Sequence, residues 1–301
     1  MADQVPRMTG TGQLKATHEI HIFLAPIYIT PPGLSREAEY QTLTWKGFSE
    51  AVERYKAAVA DWNAVEKPLL RARDADVDHG EMKAPVLTLI FRDGAGEKPV
   101  TVCQSACYVR CNDIDRVREL CHEQAAYFTA RGFTVLREKI EASAYGVLGV
   151  PQTAAEAALH PSCYFEFHIK VQHEAESDKP QLITETEEKA LRAAANTLSR
   201  ILEIPVPLSY NREKNENNTA NGGCQRFLNA RFYGLGMAEI KPQLATLTDA
   251  VRLLKGDFTV IKTISEYVWF DTLKAMDHGW IDYSPEELAS LKQRLSVENT
   301  T

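Results

Sequence analysis

No apolar run in this chain approaches the roughly 20 residues that cross a bilayer, and the opening Met-Ala-Asp-Gln-Val-Pro lacks the basic stretch and apolar segment of a secretory leader. Both absences lead to the expectation of a cytoplasmic protein with no membrane partner. An excess of positive charge is missing as well. Lys and Arg number 34 against 41 Asp and Glu, a net charge of −7, which excludes a generally basic nucleic-acid surface and leaves any polyanion contact to a local cleft. A dinucleotide fingerprint is also absent, because Gly234-x-Gly236 has no third glycine at the required spacing. The six cysteines are few. Cys103, Cys107 and Cys111 lie four apart in a strand-like segment, which separates neighbours by about 13 Å, too far to share one metal ion. They are expected to be reduced core thiols, with Cys121, Cys163 and Cys224, in a reducing compartment. No metal or cofactor is expected.

What is present is a folded composition: 44% hydrophobic and 25% charged residues, so disorder is expected only at the ends and in insertions. The chain also repeats itself. Glu19-Ile-His21-Ile-Phe-Leu returns as Glu166-Phe-His168-Ile-Lys-Val. Gln104 and Arg110, six apart, are matched by Gln225 and Arg231, and Phe133-Thr-Val through Glu141 by Phe258-Thr-Val through Glu266. Ordered matches of this kind point to a tandem duplication. The halves are placed at 1–150 and 151–301, the first with an insertion near 61–84, the second with a polar loop at 211–223 and a C-terminal helix at 285–295.

Periodicity and turn signals give each half the order strand, helix, strand, strand, helix, strand. In the first half these are a strand at 18–29, a helix at 41–60, strands at 86–92 and 99–110, a helix from Asp113 to Ala130 and a strand at 133–143. The second has strands at 163–172, 204–210, 224–233 and 257–270, with helices at 184–202, capped by Thr184, and 241–255. This is the α+β, ferredoxin-like βαββαβ module. Two antiparallel sheets are expected to face one another about a pseudo-twofold axis, with helices on the outer faces.

Alternation assigns one face of those sheets to apolar residues and the other to polar ones. The polar face collects Glu19, His21, Arg110, Arg137, Lys139 and Glu141 from the first half, and Glu166, His168, Lys170, Asn229, Arg231, Lys262 and Glu266 from the second. Six Lys and Arg stand against four Glu. A cationic cavity in an acidic protein is expected to hold a small anionic, phosphate-containing ligand. His21 and His168 would act as acid and base, with Glu19, Arg110, Arg137, Glu141, Glu166, Lys170, Arg231, Lys262 and Glu266 on the ligand.

In architecture the chain resembles the two-histidine phosphoesterases, which pair a histidine motif from each of two similar lobes. That resemblance implies a phosphoester hydrolase. The family's Thr or Ser two positions after each histidine is replaced here by Phe23 and Lys170, so the resemblance extends to His21 and His168 alone. The segment Glu166-Phe-His168-Ile-Lys170 also resembles the Glu-x-Glu-x-Lys strand of triphosphate tunnel enzymes, with His for the middle Glu. Two alternatives stand beside hydrolysis. One is a non-catalytic module for a small ligand or a protein. The other is a divalent-metal enzyme on the Glu and His pairs, against which count the ~6.8 Å between residues two apart on a strand and the many cations nearby. Asp271 and the Asp277-His-Gly-Trp280 segment are read as a turn, and His18, His122, His160 and His173 as surface or cap residues.

Overall fold

A computed structural model describes residues 16–29, 45–93, 96–145, 149–173, 183, 185–202, 204, 206, 208–211, 225–252 and 258–272. The loop at 211–223 (beyond Asn211), the Thr184 cap, Cys224, the Asp277–Trp280 segment and the helix expected at 285–295 lie outside the described residues.

The first strand, β1 (Thr17–Ile29), is followed by α1 (Trp45–Asp61). The segment expected to be an insertion is itself ordered. A π-helical turn (Trp62–Glu66) carries α1 directly into α2 (Lys67–Arg73), and β2 (Asp78–Lys83) follows. Asn63 clamps β2 by donating to the Met82 carbonyl at 2.8 Å and accepting from its N–H at 2.9 Å. Trp62 is buried edge-on against Tyr127, centroids 4.9 Å apart. A hairpin of β3 (Val86–Asp93) and β4 (Gly96–Arg110) leads to α3 (Ile114–Ala130). Asp113 caps α3 by accepting from the N–H groups of Asp115 and Arg116, and Gly132, at φ +78°, releases the chain into β5 (Thr134–Ser143).

The short α4 (Ala154–Ala157) precedes β6 (Tyr164–His173), α5 (Glu185–Leu202), β7 (Leu208–Asn211), β8 (Gln225–Tyr233), α6 (Met237–Arg252) and β9 (Phe258–Asp271). The start of α6 precedes Pro242 by more than a turn. Its Glu239 carboxylate accepts from Gly236 N–H and from Ala154 N–H, tying the helix to the connection between β5 and β6.

The expectation of two facing sheets is corrected: the strands form one antiparallel sheet. Its order runs β1-β5-β9-β6-β8-β7-β3-β4, and β4 pairs again with β1, so every strand except β2 belongs to a closed ring. Two junctions make the closure. Lys139 to Ser143 of β5 pair with Glu266 to Asp271 of β9, and Leu87 to Leu89 of β3 with Ser209 to Asn211 of β7. β2 extends the edge of β4 next to β3.

Period-two alternation then decides what faces where. Ile20, Ile22 and Leu24 of β1 pack outward against Phe48 and Tyr55 of α1 and Val117, Leu120 and Phe128 of α3. Phe165, Phe167, Ile169 and Val171 of β6 pack outward against Leu191, Ala195 and Leu198 of α5 and Ile240, Leu247 and Val251 of α6. The apolar cores therefore lie between the ring and the helices, and the opposite, polar faces are enclosed. None of the described helices is long and apolar enough to cross a membrane.

Where α6 begins, a Cβ on Gly236 would meet the Thr153 nitrogen at 2.2 Å and the Gln152 carbonyl carbon at 2.4 Å. Neither backbone atom can rotate away. Gly236→Ala is expected to lower the free energy of unfolding by about 1–3 kcal/mol, the usual cost of overpacking, in a urea titration. An unchanged midpoint would show that this junction is loose.

Candidate functional site

Inside the ring, a connected set of ionised side chains is buried where an apolar core would ordinarily be. The Lys139 ammonium on β5 is ion-paired with both Glu141 on its own strand and Glu166 on β6, reaching past β9. Arg231 Nη2 donates to the other oxygen of Glu166 at 2.6 Å. Arg137 binds Asp271 through two bonds of 2.8 and 2.5 Å, and the Tyr164 hydroxyl donates to the same carboxylate at 2.8 Å. The Phe23 ring lies 5.2 Å from the Arg137 guanidinium. Breaking such a pair by removing one partner costs about 3–5 kcal/mol, because the charge left behind is stranded.

The two histidines are held alike. His21 Nε2 lies 2.8 Å from Glu141 and 3.9 Å from Glu19, while its Nδ1 faces the Gln104 amide at 2.6 Å. His168 Nε2 lies 2.8 Å from Glu266, while its Nδ1 faces Asn229 Oδ1 at 2.5 Å, and Asn229 donates in turn to Ser209 at 2.9 Å. Each ring thus points Nε2 at carboxylates and has Nδ1 gripped by a carboxamide from the next strand. The buried Gln104 Oε1 has no partner. With the amide turned end for end, Oε1 would accept the His21 Nδ1–H.

Electrostatics follow from this packing. Burial opposes the charged form of His168, but the Glu266 hydrogen bond and the charges of Glu266, Glu166 and Glu141 outweigh it and push its pKa up to about 10. For His21, burial is likewise outweighed by Glu141 and Glu19, and the pKa is raised. Burial would raise Glu166, yet Arg231 and Lys139 bring it down to about 2. Against burial, Lys139 and His21 lower Glu141 as well. Glu266 is raised, by burial and by the negative charge of Glu141.

The placement of the expected site residues changes the sign of the cavity. Glu19, His21, Arg137, Glu141, Glu166, His168, Arg231 and Glu266 come together. Arg110 does not: it is exposed and pairs with Asp78 at 3.4 Å. Lys262 is exposed, and the half-buried Lys170 extends its ammonium over the Phe227 ring at 5.8 Å. Asp271, read from sequence as a turn residue, enters instead. From Glu266, alternation sends Asp271 to the outer face, but a bulge in the β5–β9 pairing, which skips Trp269, turns it inward. Three cations, Arg137, Lys139 and Arg231, then face five carboxylates, Glu19, Glu141, Glu166, Glu266 and Asp271. With neutral imidazoles the cluster carries −2.

The spacing objection to shared metal ligands also fails. Ligand atoms of Glu19, His21 and Glu141 all lie within 4.8 Å of one another, as do those of Glu141, His168 and Glu266. Side chains two apart on a strand converge at their tips here, although their Cα atoms do not. His18, expected at the surface, is buried and hydrogen-bonded to the Cys111 carbonyl at 3.1 Å, and five of the cysteines are buried thiols.

No family model and no curated protein matches this chain. Among solved structures it is similar to a heme-binding protein from Thermus thermophilus, at 11% identity and a TM-score of 0.24 over 85% of this chain and 92% of that one. A protein described as a chlorite dismutase matches at 8% identity and a TM-score of 0.22, over 84% of this chain and 95% of that one. A Fusobacterium nucleatum protein described as a monooxygenase matches at 11% identity and a TM-score of 0.25, over 90% and 98%. Similarity at this level transfers no function.

The phosphate ligand, and with it the phosphoester hydrolase using His21 and His168 as acid and base, is therefore corrected. Carboxylates outnumber the Lys and Arg of the cavity, Arg137 and Arg231 are bound to Asp271 and Glu166, and Arg110 faces away. A phosphate would meet carboxylates where it needs cations.

Raised histidine pKa values make a prediction of definite sign. Each contributes stability that is complete below the unfolded value of 6.5 and is lost as pH rises through the folded value, about 10 for His168. The lowered Glu166 contributes above the unfolded 4.5 and loses its contribution as pH falls through about 2. Melting temperatures of chelator-treated protein should fall steadily between pH 6.5 and 10, and His168→Gln should flatten that decline. A flat profile in the parent would contradict the buried imidazolium pairs.

Proposed function

We infer that the barrel interior binds one divalent transition-metal ion, held by Glu141, His168 and Glu266, with Glu19 and His21 on the far side of Glu141. The observation that carries this reading is the convergence of imidazole nitrogens and carboxylate oxygens in two triads that share Glu141. The charge of the cluster supports it. One divalent ion compensates the −2 that remains when the imidazoles are neutral, and metal ligation requires them neutral. Imidazole with carboxylate suits Fe2+, Mn2+ or Zn2+ better than the oxygen-loving Ca2+ or the thiolate-loving Cu+.

Two further features fit. The Asn229 carboxamide gripping the outer nitrogen of His168 is the kind of support that orients a ligating imidazole. The His168 side chain is 24% exposed and that of Glu266 14%, so this side of the cluster meets water while Glu166, Lys139 and Arg137 lie deeper. An ion there has a route in and an open side for water or a substrate. At the neighbouring edge, Tyr108 stands opposite Glu19 in the β1–β4 pairing and is half exposed, with the Lys83 ammonium 5.0 Å from its ring.

Among the described residues, the layer between helices and sheet does not fit the heme named for the Thermus protein. Among the described residues the only imidazole on a helix is His122, which is exposed, bound to Glu138 at 2.6 Å and set edge-on to Phe270. Apolar side chains fill the layer between helices and sheet. The identical strand orders β5-β1-β4-β3 and β9-β6-β8-β7, with the matched motifs, support a duplicated module with halves at 1–150 and 151–301. The centre lies where the two runs meet.

Protein purified without an affinity tag and analysed for metals should carry close to one equivalent of Fe, Mn or Zn. The ion found decides between redox and Lewis-acid chemistry. His168→Ala should abolish binding, His122→Ala should leave it unchanged, and Asn229→Leu should weaken it by about 10–100-fold. A chelated sample that takes up no ion at micromolar free metal would refute the reading.

A further inference from the structure

The two copies of the Glu-x-His motif are used unequally, and one side chain is responsible. Sequence matching pairs Glu19 with Glu166, His21 with His168 and Glu141 with Glu266. If both halves behaved alike, the second triad would be Glu166, His168 and Glu266. Instead Glu141 completes it, and Glu166 is withdrawn, its two oxygens held by Lys139 and Arg231. Lys139 stands two residues before Glu141 on β5, and the residue two before Glu266 on β9 is Ile264. A cation is therefore supplied by one half only.

Its position is that of an ion. The Lys139 ammonium is buried and contacts one oxygen of Glu141 and one of Glu166, carboxylates from opposite halves of the chain. A small cation between two carboxylates is what a bound divalent metal would be at the same point. We propose that Lys139 is a tethered occupant of a second cation position in the barrel, between Glu141 and Glu166, so that the chain takes one divalent ion rather than two. The count of one rests on the metal-binding reading given above; the occupancy of the Glu141–Glu166 position by Lys139 does not.

Charge explains why the occupant is a lysine. With Lys139 present the cluster carries −2 and is neutralised by a single divalent ion. A second such ion would leave an excess of two positive charges in a buried site, which low-dielectric surroundings penalise heavily. Removing the ammonium takes the cluster to −3 and leaves two carboxylates facing a gap with no cation in it. The ligands around that gap are oxygens alone, so the ion suited to it is a hard one such as Mn2+. Lys139 thus sets both the number of ions and the kind of ion that the interior accepts.

The test is an ion count. Chelated protein is equilibrated with Mn2+, and bound metal per chain is measured for the parent and for Lys139→Met, which keeps the length of the side chain and removes its charge. One ion in the parent and two in the variant are expected, with a larger Mn2+-dependent rise in melting temperature for the variant. Two ions in the parent, or one in a folded Lys139→Met protein, overturn the proposal. None in the parent with one in Lys139→Met would reject the metal-binding reading and keep the role of Lys139; none in either rejects both. Should Lys139→Met fail to fold without metal, Lys139→Met/Glu166→Gln removes the ammonium and one carboxylate together and should bind one ion. Two ions in that double variant would overturn the proposal as well.

Discussion

Two short strand pairings, β5 with β9 and β3 with β7, are the constraint from which the rest follows. Without them each run of strands would be an open sheet with one face under helices and the other in water, where Glu, His, Lys and Arg are solvated and cost little. With them the wet faces become an interior. Every charge enclosed must then find a partner, because water no longer supplies one. Lys139 bonded to Glu141 and Glu166, Arg231 to Glu166, and Arg137 to Asp271 are the result.

Such an interior is an unusual way to fill a barrel. Apolar packing has been moved outward, into two clusters between the strands and helices, and these give the fold its hydrophobic stabilisation. The enclosed ion pairs return little net stability, since desolvation offsets most of their attraction. Their value lies in placement. They hold His21 and His168 in fixed orientations beside a shared carboxylate, each with its outer nitrogen bound, and leave one side of the cluster accessible.

The two runs of strands contribute unequally to the cluster. Glu141, contributed by the first, belongs to both donor triads, whereas its sequence counterpart Glu266 belongs to one. Lys139 has an isoleucine as counterpart, and Phe23 stands where the second half has Lys170. Under the proposed duplication each position is present twice, and one copy is free to hold the other in place.

Much of this architecture was legible in the chain. The order of strands and helices follows from alternation, from the Asp113 cap and from Gly132, and the matched Glu-x-His motifs mark the residues that later meet. Local rules determine local structure, and those signals are local. The ring closure was not legible, because pairing between β5 and β9 or between β3 and β7 leaves no mark on either strand alone. Nor was the sign of the cavity. Six cations against four carboxylates became three against five when a bulge at Trp269 turned Asp271 inward, Arg110 and Lys262 came to lie at the surface and Lys170 turned to the Phe227 ring. The residues that face each other were set by alternation; which of them share a buried space, and with what net charge, was decided by register and closure, which exist only once distant strands have paired.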